Sequence, residues 1–217
     1  MKGKLIAIEG LDGSGKATQT GLLYEALTKS GAAVRKISFP DYDSPSSALV
    51  KMYLSGAFGS DPSDVSAWAA SSFYAVDRYA GYKTDWGRFY EDGGLILADR
   101  YTTSNAIHQC SKLPEAEWDA FLNWLFDYEY HLLGLPAPDL VIYLQVDVDT
   151  SQALLETRCE QDHTEKDIHE ASPDYLRRSA AAAGYCARRQ GWKTVLCMRD
   201  GRLRTAEDIH QEILTLL

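Results

Sequence analysis

The sequence predicts an α/β fold: an open, parallel, five-stranded sheet with helices on both faces. Three observations lead there. Five apolar runs recur along the chain, at residues 5–8, 34–39, 95–98, 140–144 and 194–197. The clearest of them are apolar without interruption, as in strands covered on both sides, and do not alternate apolar with polar. Longer stretches with helical spacing separate them, which is the alternation that builds a parallel sheet. Finally, the first run passes through a glycine-rich turn, Gly10-Leu11-Asp12-Gly13-Ser14-Gly15-Lys16, into a helical pattern.

In chain order, Leu5-Ile6-Ala7-Ile8 reads as a buried strand, and residues 16–30 as a helix closed by Gly31. A second strand is expected at 34–39, helices at 45–55 and 65–90, and a third strand at 95–98. Residues 115–133 carry Trp118, Phe121, Leu122, Leu125, Phe126, Leu132 and Leu133 at roughly helical spacing. Core packing is the default reading of that stripe, and a subunit interface is the sharper one. Leu140-Val141-Ile142-Tyr143-Leu144 is the plainest strand. Helices at 150–158 and 173–189 enclose a polar stretch, and a last strand and helix follow at 194–197 and 206–217. No repeat, low-complexity tract or linker divides the chain, so residues 1–217 read as one domain with a short polar segment near 159–172.

A chain of 217 residues buries a full core without disulfide or metal support. Its net charge of −9 argues against a polyanion partner such as a nucleic acid polymer. If it binds a phosphate compound, the cations must be local. Cys110, Cys159, Cys186 and Cys197 form no C-x-x-C pair and no zinc-spaced cluster, which fits reduced thiols in the cytoplasm. The N-terminus lacks a signal-peptide run, and no stretch approaches the roughly 20 apolar residues that span a membrane.

The turn at Gly10 to Lys16 follows a strand and opens a helix, the context that a G-x-x-x-x-G-K motif requires. Glycines let backbone N–H groups converge on an anion, and the helix N-terminus adds partial positive charge. The expected nucleotide contacts are Gly10, Leu11, Asp12, Gly13, Ser14, Gly15, Lys16, Ala17 and Thr18, with Lys16 on the β and γ phosphates of ATP. The motif calls for Ser or Thr after the lysine to ligate Mg²⁺, and here that residue is Ala17. Asp99-Arg100 closes the third strand, at the carboxyl edge of the sheet where α/β folds bind ligands. An Asp there can hold Mg²⁺ directly or through water, and an Arg can clamp a second phosphate as a planar fork.

At this point the sequence resembles the thymidylate kinase family of P-loop nucleoside monophosphate kinases. Asp99-Arg100-Tyr101-Thr102-Thr103-Ser104-Asn105-Ala106 is similar to the family's D-R-Y-x-x-S-N-A signature, and Glu9-Gly10-Leu11-Asp12-Gly13 to its E-G-x-D-G start. Phe39-Pro40 and Tyr74-Ala75-Val76-Asp77-Arg78 match two further features in order. The resemblance implies a P-loop nucleotide kinase architecture with a short lid, ATP and dTMP as substrates, Mg²⁺ as cofactor, and a homodimer. It places Arg78 on the thymine carbonyl, Tyr74 on the base face, Arg100 on the dTMP phosphate, and Ser104 and Asn105 within reach of the base. Asp12 would take the deoxyribose 3′-hydroxyl or a bridging ion, shared with Asp99. His108 falls beside the sugar, and Pro40 and Glu170 belong to the substrate pocket. Members with glycine at the position of Gly13 usually carry lid arginines, but the stretch between Arg158 and Arg177 has none. Lys166 and Arg158 are therefore the catalytic cations expected from that region.

Overall fold

The computed structural model describes residues 2–162, 167–170 and 172–217, without the side chains of Arg158 and Asp162. Five parallel strands form the sheet in the order β2-β3-β1-β4-β5: β1 (Lys4–Gly10), β2 (Val34–Ser38), β3 (Leu95–Asp99), β4 (Leu140–Gln145) and β5 (Lys193–Leu196). Central β1 aligns Ile6 with Leu97 on one side and with Leu140 on the other. Successive side chains leave opposite faces of a strand. Ile6, Ile8, Leu97, Ile142 and Leu144 accordingly pack against Leu23 of α1 (Lys16–Lys29) and against Ile209 and Ile213 of α9 (Ala206–Leu214). Leu5, Ala7, Ile96, Ala98 and Val141 meet Trp86, Tyr90 and Tyr101 on the opposite face. Both faces are covered, which is why these runs are apolar at every position.

The expected helix at 65–90 is real but uneven. A 3-10 turn at Pro62–Asp64 precedes α3 (Ala67–Gly81), whose Ser66 cap accepts from Ala69 N at 3.3 Å. A π turn at Tyr82–Trp86 then leads into α4 (Gly87–Glu91). The extra residue of a π turn shifts helical phase. Trp86 is thereby turned beneath the sheet, 1% exposed, with Tyr82 and Tyr90 against its ring at 4.9 and 6.4 Å. The expected helix at 115–133 is interrupted in the same way, as a 3-10 turn at Glu115–Glu117, α6 (Trp118–Phe126) and a π turn at Asp127–Leu132. Its stripe divides: Trp118, Phe121, Leu122 and Leu125 join the core, while Leu132 is 73% exposed.

The remaining helices are α2 (Ala48–Leu54), α5 (Thr102–Cys110), α7 (Val148–Asp162) and α8 (Pro173–Gln190). Helix α7 begins before the expected residue 150 because Asp147 Oδ1 accepts from Thr150 N at 2.8 Å and caps it. A two-stranded hairpin, β6 (Met198–Arg199) and β7 (Arg202–Leu203), stands where no strand was expected. Its turn is Asp200-Gly201, both with positive φ, 50° and 71°. Asp-Gly is a hairpin signal, and the strands it joins are too short to show periodicity. Among the described residues no helix is long and apolar enough to cross a membrane.

Candidate functional site

The carboxyl edge of the sheet carries the phosphate loop. A Cβ on Gly13 (φ 81°) would lie 2.2 Å from Ser151 O, so the turn requires glycine there. Gly15, also left-handed, is the N-cap of α1 and no side chain caps that helix. Its first N–H groups are therefore open to an anion. Lys16 is buried and donates from Nζ to Leu11 O at 2.8 Å. Burial, then the charge of Arg100, pulls its pKa down to about 8 against the pull of Asp12, Asp99 and Glu9.

Arg100 has a left-handed backbone (φ 68°), held by its N–H on Ile8 O at 3.2 Å. That turn lifts the side chain off the end of β3 and back over the phosphate loop. Its Nη2 donates to Asp12 Oδ1, and its Nη1 lies 3.4 Å from His108 Nε2. Burial alone would raise the Asp12 carboxyl, but Arg100 and Lys16 overcome it and hold the group well below the usual range. Glu9 is enclosed and accepts from Tyr101 N at 3.0 Å, Thr103 Oγ1 at 2.6 Å and Ser104 Oγ at 2.6 Å. A carboxylate from β1 thus caps α5 and fixes it over the sheet edge, and Ser104 spends its proton on Glu9.

Arg78 lies at the other end of the cavity, 1% exposed, with Nε and Nη2 on the two oxygens of Glu129 at 2.7 and 2.6 Å. Thr102 Oγ1 donates to Glu129 at 2.7 Å, and Asn105 Nδ2 reaches Glu129 at 3.4 Å and Ser71 O at 3.2 Å. The Glu129 pair leaves Nη1 of Arg78 free of it. The π turn of 127–132 is what swings Glu129 inward, and no local sequence signal announced it. Tyr74, one helical turn before Arg78, lines the same cavity, as does Pro40, which follows a cis peptide. Asp77 accepts from Asp41 N at 2.9 Å and from Ser46, which ties the segment after Pro40 to α3.

These groups surround one cavity of about 560 Å³. Residues 12–18, Pro40, Tyr74, Arg78, Asp99, Arg100, Ser104, Asn105, His108 and Glu170 all line it, whereas Gly10 and Leu11 stand behind the loop. His108 is nearly buried, and burial followed by Arg100 pushes its pKa down to about 3, so it is a neutral imidazole. Tyr42, Gln109 and His169 also line the cavity and were not singled out in the sequence, and Asp167, which with Glu170 fits the acidic D-x-x-E pattern of the resemblance, lines it too. Gln109 is fully buried, with both amide atoms unpartnered among the described residues, a state that a polar ligand would relieve. Asp167 Oδ1 accepts from the N–H groups of His169 and Glu170 at 2.8 and 2.9 Å, forming a tight turn at the cavity rim. Lys166 and the side chain of Arg158 lie outside the described residues. Among the described residues no group of three or more His, Cys, Asp or Glu is arranged to hold a metal.

Comparison with known proteins gives consistent matches. The thymidylate kinase family profile matches residues 8–213. A thymidylate kinase of Mycobacterium tuberculosis is 31% identical over 192 residues, covering 87% of each chain. A thymidylate kinase of Danio rerio is 24% identical over 218 residues, covering 99% of this chain and 90% of its own. The solved structure of thymidylate kinase from Candida albicans superposes with a TM-score of 0.71 at 21% identity, over 99% of this chain and 91% of that one. At that identity the likeness speaks to the fold.

Proposed function

The chain belongs to the thymidylate kinase family, and from that premise we propose how it phosphorylates dTMP. The donor is ATP, its triphosphate lying along the open N-terminus of α1 with Lys16 on the β and γ phosphates. The acceptor phosphate lies under Arg100, and the base lies between Tyr74 and the free Nη1 of Arg78, with Asn105 and Ser104 along its edge. Ser104 would accept there, since its proton is on Glu9. Asp12 and His108 face the sugar, and Glu170 and Pro40 close the pocket. The observation that carries this reading is that one cavity joins the phosphate loop, Arg100 and Arg78.

A dTMP phosphate oxygen attacks the γ phosphorus in line, and the bond to the β–γ bridging oxygen breaks to release ADP. A phosphate monoester is largely dianionic near neutral pH, with its second pKa at about 6, so the acceptor needs no general base. The work left to the protein is positioning and neutralisation of charge. Asp99, and Asp12 through the Oδ2 that Arg100 leaves free, fit a hydrated Mg²⁺ held mainly by nucleotide oxygens, since Ala17 offers no hydroxyl. Such an ion would neutralise phosphate charge.

The reading extends to a cytoplasmic homodimer of single-domain subunits. Trp68, Val76 and Tyr79 are exposed along one stripe of α3, and Trp68 meets Trp124, which stacks on Tyr128 at 5.3 Å. Leu132, four residues after Tyr128 in the same π turn, is exposed as well, and so much exposed apolar surface suits a second copy.

Release of ADP in the presence of dTMP, dUMP or dCMP tests the assignment. Cytosine places an amino donor where thymine has its O4 acceptor, and Glu129 prevents Arg78 from turning away. Two opposed donors cost roughly 1–3 kcal/mol, so kcat/KM for dCMP should fall about 10–100-fold below that for dTMP. Equal values for the two would remove Arg78 from base recognition.

A further inference from the structure

A chain of hydrogen bonds runs from outside the cavity to its wall. Lys112, just past α5, donates from Nζ to Tyr53 Oη at 2.6 Å and to Val65 O at 3.1 Å. Tyr53 Oη, on α2, lies 2.7 Å from His169 Nε2. Burial pulls the Lys112 pKa down to about 7, so its charged form is favoured below neutral pH. The ammonium only donates, so while Lys112 is charged the single Tyr53 proton points elsewhere. Its acceptors are His169 Nε2 at 2.7 Å and Pro62 O at 3.3 Å, and the shorter contact is with the imidazole. Nε2 is then an acceptor, and a neutral His169 carries its proton on Nδ1. Burial, with Lys112 and Arg100 nearby and Asp12 opposing them, holds this ring neutral.

The ring cannot swing away. It stacks on His108 at 5.8 Å and 14°, lies 4.6 Å from Tyr175, and meets the Tyr53 ring edge-on at 5.2 Å. Tyr175 is itself pinned by its hydroxyl on His108 O at 2.9 Å. The backbone beside His169 is tied to α2 by Ile168 N on Leu54 O at 3.3 Å. Nδ1 of His169 has no partner among the described residues and, unlike Nδ1 of His108, is not sealed off. His169 lines the cavity next to His108, which touches Arg100.

We propose that Lys112 and Tyr53 are positioning residues that fix His169 as its Nδ1–H tautomer, so that it donates one hydrogen bond to a sugar-phosphate oxygen of the acceptor nucleotide beside Arg100. The proposal rests on the reading that dTMP occupies this end of the cavity. It assigns a substrate contact to His169, and a role to two residues that need not touch substrate.

Calorimetric binding of dTMP, together with steady-state kinetics, tests it. Tyr53→Phe keeps the ring and loses the donor. It should weaken dTMP binding and raise its KM by about 10-fold, with kcat and the KM for ATP nearly unchanged. Lys112→Met should do the same more weakly, and Lys112→Arg should restore the wild-type value. His169→Phe keeps the stack on His108 and should match or exceed Tyr53→Phe. The double variant should be no worse than His169→Phe alone, because both act through one contact. If wild-type protein binds dTMP while Tyr53→Phe binds it equally well, or if the two losses multiply, the relay is only structural. If wild-type protein does not bind dTMP, the substrate reading falls and the relay falls with it.

Discussion

The two ends of the cavity are built differently. The donor end is backbone: consecutive residues 12–18, a glycine at position 13 whose Cβ would run into Ser151 O, and one buried lysine. The acceptor end is side chain: Arg78 from α3, Glu129 from a π turn, Asn105 and His108 from α5, and His169 from a rim segment. A backbone cradle brings its own donors and asks little of distant residues. A side-chain cradle must carry charges into the interior and match each with a partner far away in sequence. Binding and stability should therefore separate at the donor end and travel together at the acceptor end.

The largest effect should come from Lys16→Met. The loop backbone still presents its N–H groups, but the charge that follows the transferring phosphoryl is gone. Loss of a cation at this step costs about 10³-fold or more in kcat. Thermal stability should not fall, because burial already pulls the Lys16 pKa down to about 8, so its charge is held against the fold's preference. Steady-state rates and a melting curve measure both. A loss of stability alongside the loss of rate would erase the contrast between the two ends.

Glu129→Ala should show the opposite pattern. It leaves the Arg78 guanidinium buried without its bidentate partner, which typically costs roughly 3–5 kcal/mol. The denaturation midpoint should drop sharply, and dTMP binding should weaken because Arg78 is no longer held. Replacing both partners by apolar residues, Arg78→Met with Glu129→Leu, should recover much of the stability without recovering dTMP binding. If the double variant binds dTMP normally, the pair serves only the fold.

That contrast also explains what could be read from the sequence. The phosphate loop is one contiguous motif with a strand before it and a helix after it, so its position followed directly. The central strands β1, β3 and β4 were legible because burial on both faces makes their runs apolar, and the edge strands β2 and β5, polar at several positions, were legible from their place between helical stretches. Asp99-Arg100 was legible from its place at a strand end. Glu129 was not, because a glutamate inside an aromatic helix reads as solvent-facing until a π turn changes its phase. Glu9 was seen as part of a loop signature, yet its work is to cap a helix almost a hundred residues later, a contact that exists only in three dimensions. The β6–β7 hairpin had its signal in Asp200-Gly201 but lacked strand length.

The smallest effect divides the acceptor end itself. Burial, helped by the negative charges of Glu170 and Asp12, pushes the Asp167 carboxyl from 3.8 up to about 6, against the pull of the backbone N–H groups of Glu170 and His169. The folded value therefore lies above the unfolded one, so folding favours the protonated acid. The stabilisation this gives is complete below about pH 4 and is lost as pH rises through about 6, where the folded protein must carry the ionised group. Asp167→Asn imitates the neutral form and keeps an oxygen for the N–H groups of His169 and Glu170. Melting curves for the two proteins should coincide near pH 4 and diverge above pH 6, with the variant more stable. Because the group is only half-buried, the gain should be on the order of 1 kcal/mol, less than the full pKa difference implies. Glu129 would then be a charge the fold needs, and Asp167 a charge kept at some cost to stability at the cavity rim. Equal stability of Asp167→Asn and wild type at every pH would mean that the carboxylate is solvated where it stands, leaving Glu129 as the acceptor end's clearer case of a buried charge.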